Sequence, residues 1–146
     1  MKVIVLNDNN NIDNIIKSIE GGKPRQCVLS NENIERLSPI IRYAHKLHIA
    51  GKDTFIQVKF DSAYNARPKR LEIVAKDGNV IEVYKFAKKS TFEKECIETQ
   101  RVLDELKSIY SNCFKGFIII QSLQGDLDLI KERMCEISSD VSIILE

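Results

Sequence analysis

Apolar and polar positions repeat with two periods along this chain, and the switches between them predict its elements. Lys2 to Leu6 is a short β-branched run that stops at Asn7-Asp8-Asn9-Asn10, which predicts a buried strand and a turn. Ile12, Ile15, Ile16 and Ile19 recur at helical spacing until Gly21-Gly22 and Pro24 end the pattern. Gln26 to Leu29 predicts a second strand. Ser30, Asn31, Glu32 and Glu35 offer caps for a longer helix that closes at Ala50-Gly51 and kinks or breaks at Pro39. Thr54 to Phe60 alternates strictly and reads as a strand. Leu71–Lys76 and Asn79–Phe86 are strands around Asp77-Gly78, a dipeptide that tolerates the positive φ of a tight hairpin turn. From Ser90 to Tyr110 the residues Phe92, Cys96, Val102 or Leu103, Leu106 and Ile109 or Tyr110 form a helical stripe. Ser90 or Thr91 with Glu93 or Glu95 resembles a cap for that helix. Phe117-Ile118-Ile119-Ile120, inside Gly116–Gln121, suits a strand covered on both faces. A helix over Asp126–Ile137 and a strand over Val141–Leu145 complete the chain.

The order is therefore β-α-β-α-β-β-β-α-β-α-β, an α/β fold with an antiparallel hairpin at 71–86. A hairpin set among helices implies a mixed sheet with helices on its faces. The 146 residues fit one domain, 1–146, and 43% hydrophobic with 29% charged residues is ordinary for a self-folding globule.

Cys27, Cys96, Cys113 and Cys135 lie far apart with no CxxC pair, so they read as buried reduced thiols. The apolar run at the N-terminus is too short for a signal-peptide core or a membrane span, and the expected setting is cytoplasmic, without a membrane partner. His45 and His48 sit three apart on a helix without an evident third ligand and read as surface residues. Gly21-Gly22-Lys23-Pro24 follows a helix instead of preceding one, which excludes a phosphate loop. No serine or cysteine sits beside a recognisable base.

Charge changes the picture. Net charge is +1, yet Arg42 to Lys89 holds eleven Lys or Arg against five Asp or Glu. That local surplus of six permits an anionic partner. Within it, Tyr64, Arg67, Lys69 and Arg70 mix an aromatic ring with cations in an expected loop, a composition able to stack a base and neutralise phosphates.

The run RLEIVAKDGNVIEVYK from Arg70 to Lys85, followed by the long helix and Gly116-Phe117-Ile118-Ile119-Ile120, resembles the core of the PD-(D/E)XK nuclease superfamily over residues 34–120. That resemblance implies an acid on the second core strand and Glu-x-Lys on the third, which hold Mg or Mn and position the attacking water. Glu72, Glu82 and Lys85 are the candidate catalytic residues. With Asp77-Gly78 as the turn, Glu72 opposes Val83 and Ile73 opposes Glu82, so Glu72, Val83 and Lys85 share one face and Glu82 and Tyr84 the other. Glu-x-Lys is thus broken: Val83-Tyr84-Lys85 lacks the acid and Glu82-Val83-Tyr84 lacks the lysine. A bulge near Tyr84 would align Glu82 with Lys85.

The leading expectation is a nucleic-acid-associated protein on a degenerate, non-cleaving nuclease-like core, with no cofactor. Tyr64, Arg67, Lys69, Arg70 and Lys85 would make its nucleic-acid contacts. One alternative is a non-catalytic protein-interaction module, such as a homodimer. Another is a metal-dependent nuclease using Mg or Mn, should the bulge exist. A third is an enzyme acting on small molecules through a pocket the sequence does not reveal.

Overall fold

The computed structural model describes residues 2–4, 12–17, 27–29, 39–61, 69–88, 90–120 and 140–145. They form an α/β fold whose five-stranded sheet has the order β3-β4-β5-β6-β7, beside a separate two-stranded sheet of β1 and β2. The chain divides into two compact units, Met1–Ile81 and Glu82–Glu146, with the boundary inside β5.

In the first unit, β1 (Lys2–Ile4) pairs antiparallel with β2 (Cys27–Leu29), and α1 spans Ile12–Lys17 between them in sequence. Helix α2, Pro39–Ile49, begins on the proline that the sequence marks as a break. Proline suits a first helical position, because its missing N–H has no intrahelical partner there and its φ is already helical. Gly51 ends the helix at φ 93°. Its N–H donates to the His48 carbonyl at 3.0 Å and the Lys52 N–H donates to the Leu47 carbonyl at 3.2 Å, the paired bonds of a Schellman cap. Tyr43, Ala44 and Leu47 are buried, and so is His45, against the expectation of a surface histidine. His45 follows the buried Ala44 on the helical arc, so packing rather than polarity sets its exposure.

Strands β3 (Asp53–Phe60) and β4 (Lys69–Asp77) pair antiparallel, with Ile56 opposite Ile73 and Phe60 opposite Lys69. The alternation of β3 places Thr54, Ile56, Val58 and Phe60 on one face with Leu71, Ile73 and Ala75 of β4, and every one is buried. Both α1 and α2 contact β3. On the other face Phe55 and Val74 are buried. Lys59 and Glu72 there are half-buried.

Strand β4 ends at Asp77 and β5 (Val80–Ala87) begins at Val80, so the turn residues are Gly78 and Asn79, not Asp77 and Gly78. Primed hairpin turns demand positive φ at their first central residue, and Gly78 supplies it at 62°. The turn therefore lies one residue later in the chain than the sequence pattern places it.

In the second unit, α3 (Phe92–Ile109) packs on β6 (Cys113–Ile120) and touches β7 (Val141–Leu145). Strands β6 and β7 run parallel, Gly116 opposite Val141 through Ile120 opposite Leu145, so the sheet is mixed. Phe92, Cys96, Thr99, Val102, Leu103 and Leu106 form the buried stripe of α3, while Ile109 is 60% exposed. Helix and sheet approach closely at Gly116, where a Cβ would lie 2.8 Å from Thr99 Cγ2 and 3.1 Å from both Leu103 Cδ1 and Val141 Cγ2. Thr91 occupies the N-cap position without a side-chain cap. Its hydroxyl instead accepts from the Lys88 N–H at 3.1 Å, so the expected capping box is not formed.

Candidate functional site

The chemistry to be tested centres on β5. Residues 81 to 84 are all buried, so both faces of this strand are covered. Alternation separates Ile81, Val83 and Lys85 from Glu82 and Tyr84. The Tyr84 hydroxyl donates to Glu82 Oε1 at 3.1 Å, and its ring stacks on Phe117 of β6 with centroids 4.9 Å apart at 16°. Phe117 alternates along β6 with Gly116 and Ile118, and Gly116 faces Thr99 and Leu103 of α3. Glu82, Tyr84 and Phe117 therefore lie on the face of the sheet turned away from α3.

Lys85 goes the other way. Its Nζ stands 3.6 Å from Glu95 Oε2 on α3, with the two side chains 33% and 20% exposed. At that separation the pair is an ion pair without a hydrogen bond. The alternation runs unbroken from Glu82 to Lys85, so the bulge that would bring these two residues together is not formed. Extended backbone alone separates them, because residues three apart in a regular strand must point to opposite faces.

This arrangement satisfies a buried carboxylate with a phenol and a partly buried ammonium with a carboxylate. It does not bring Glu82 and Lys85 together. Among the described residues, no three His, Cys, Asp or Glu side chains come together as a metal site. Glu72 sits half-buried in β4, within the first unit.

The remaining predicted contacts fall elsewhere. Tyr64 and Arg67 lie outside the described residues. Lys69 and Arg70 are strand positions of β4, opposite Phe60 and Lys59, and not members of a loop. The ladder to the last two residues of β3 extends β4 by two positions, since those backbone groups otherwise lack sheet partners.

A second feature had no signal in the sequence. Where α3 ends and β6 and β7 begin, a groove of about 640 Å³ opens, lined in part by Lys107, Tyr110, Cys113, Lys115, Phe117 and Asp140. Two chain segments, 107–117 and 140–142, supply these residues, and their meeting is a tertiary event that no local motif announces. Lys107 Nζ donates to Asp140 Oδ2 at 2.6 Å and Gln100 Nε2 donates to the same oxygen at 3.0 Å. The bonds from Lys107 and Gln100 hold the Asp140 carboxyl below its ordinary range. Its carbonyl accepts from the Gly116 N–H at 3.1 Å, which ties the start of β7 to β6.

The thiols divide. Cys96 is fully buried on the inner stripe of α3, and burial pushes its pKa up to about 11. Cys113 is exposed, contrary to the expected burial, because it occupies an outward position at the open end of β6. Among the described residues no helix is long and apolar enough to cross a membrane. No protein-family model matches the chain, no characterised protein matches it in sequence, and no solved structure matches it.

Proposed function

We propose that this protein associates with nucleic acid and does not cleave it. The divergence of Glu82 and Lys85 to opposite faces of β5 carries the second half of this reading, since a metal-dependent phosphodiesterase needs its acid and lysine on one reacting phosphate. The surplus of six positive charges between Arg42 and Lys89 supports the first half. Arg67, Lys69 and Arg70 are the contacts proposed for phosphates, and Tyr64 the ring proposed for a base. Lys85 contributes less than its charge suggests, because a phosphate there competes with Glu95.

The test is electrophoretic mobility shift with single- and double-stranded probes across a salt series. Reversing charge at Arg67, Lys69 and Arg70 together should weaken binding and flatten its salt dependence, because fewer counterions are then released. Incubation with Mg or Mn should leave the probes intact. Cleavage that Glu82→Gln abolishes would overturn the non-cleaving reading, and failure to bind either probe at low salt would leave the protein-interaction module as the better account.

A further inference from the structure

The groove beyond the end of α3 lies outside the basic segment and adjoins the Glu82–Tyr84 pair through Phe117, and its lining has a definite chemistry. Tyr110 and Phe117 are half-buried rings that border it. Phe117 is already braced on one side by Tyr84, and Tyr110 is tilted against Phe114 with centroids 6.5 Å apart. The Phe117 ring is thus held in place, which removes part of the ordering cost of stacking a ligand on it.

Its charge is equally definite. Lys107, Lys115 and Asp140 border the groove. Asp140 stays ionised at neutral pH and is bound to Lys107 at 2.6 Å, so that pair is close to neutral. Lys115 is exposed and adds one positive charge. On β6 it alternates in step with Cys113 and Phe117, and Ser142 of β7 stands opposite Phe117 in the parallel register. A ring, an ammonium and a hydroxyl accordingly share one face of the two strands.

We propose that this groove binds a single nucleotide unit, its base against Phe117 and its phosphate at Lys115. The volume falls within the roughly 300–1,000 Å³ of small-ligand sites. One surplus positive charge matches one phosphate group or one diester, and matches a triphosphate poorly. The ligand chemistry is the same whether the unit is a free mononucleotide or part of a single strand.

Cys113 provides the readout, because it is an exposed thiol in the groove while Cys96 is buried. Alkylation by iodoacetamide is followed on the tryptic peptide that carries Cys113, Ser108 to Lys115 in the parent and Ser108 to Lys131 in Lys115→Glu, with the Cys96 peptide reporting unfolding. The probes are adenosine monophosphate, a short oligoadenylate and inorganic phosphate. Either nucleotide probe at about ten times its dissociation constant should slow Cys113 alkylation about tenfold, with inorganic phosphate ineffective. Lys115→Glu should abolish that protection without moving the thermal midpoint, each variant being compared with itself in the absence of probe. Protection by the oligomer at far lower nucleotide concentration than the monomer assigns the unit to a strand, and the converse assigns it to free nucleotide. The proposal is overturned if neither nucleotide slows the reaction, if inorganic phosphate protects equally, or if protection survives Lys115→Glu. An oligomer that shifts on a gel yet leaves Cys113 unprotected removes the groove site alone and leaves the proposed function standing.

Discussion

Tyr84 donates its phenolic proton to Glu82 from the same face of the same strand, at 3.1 Å, and so fixes a carboxylate inside the sheet of a protein whose neighbouring lysine points the opposite way. Glu82 is 7% exposed and Tyr84 2%. A buried carboxylate keeps its place only if donors replace the water it has lost.

Tyr84→Phe tests that bond without disturbing the stack on Phe117. It should lower the unfolding free energy by about 1–3 kcal/mol, the cost of leaving a buried acceptor short of a donor. Tyr84→Ala loses the ring as well, and its cost should rise to roughly 3–5 kcal/mol. Urea denaturation of the two variants measures both, and equal midpoints for Tyr84→Phe and the parent would show that the bond contributes nothing.

At the hairpin, nothing lies within 4 Å of a Cβ built on Gly78, so its φ of 62° alone penalises a side chain. Gly78→Val should destabilise the fold by about 1–2 kcal/mol, because a branched residue is strained in left-handed backbone. Gly78→Asn should cost less, since asparagine tolerates that region. Matching denaturation midpoints for the two variants would contradict a conformational origin.

Gly116 is the opposite case, a glycine required by crowding. Gly116→Ala should cost about 1–3 kcal/mol through overpacking against Thr99, Leu103 and Val141. Thr99→Ser deletes the Cγ2 atom 2.8 Å away, so it should recover part of that loss in the double variant. A double-mutant cycle reads the coupling directly, and strict additivity would place the strain elsewhere.

The latch at Asp140 makes an acid-side prediction. Its carboxyl is held down by the bonds from Lys107 and Gln100, so the unfolded chain takes up the proton more readily than the folded one. The stabilisation is present above the ordinary carboxylate range and is lost as pH falls through the lowered folded value. Asp140→Asn should therefore flatten the acid limb of the stability profile. The effect should be small and weaken with salt, because Lys107 and Asp140 are each more than a third exposed. Thermal unfolding as a function of pH at two salt concentrations checks it.

Sequence periodicity determined most of the secondary structure of the described residues, because the switch from period two to helical period is a local property of side-chain chemistry; the helix expected over Asp126–Ile137 lies outside them. The strand Val141–Leu145 matches in both bounds, and the buried stripe of α3 matches at Phe92, Cys96, Leu103 and Leu106. The same local reasoning separated Glu82 from Lys85, since alternation along an extended strand needs no knowledge of partners. Tertiary structure decided the rest. Pairing with Lys59 and Phe60 turned Lys69 and Arg70 from loop into strand, and closure at Asp77 and Val80 moved the turn by one residue, because the ladder chooses which backbone groups are satisfied. Exposure of Cys113 and the groove around it depended on the end of α3 and the start of β6 meeting the start of β7, two segments more than twenty residues apart that no local pattern joins.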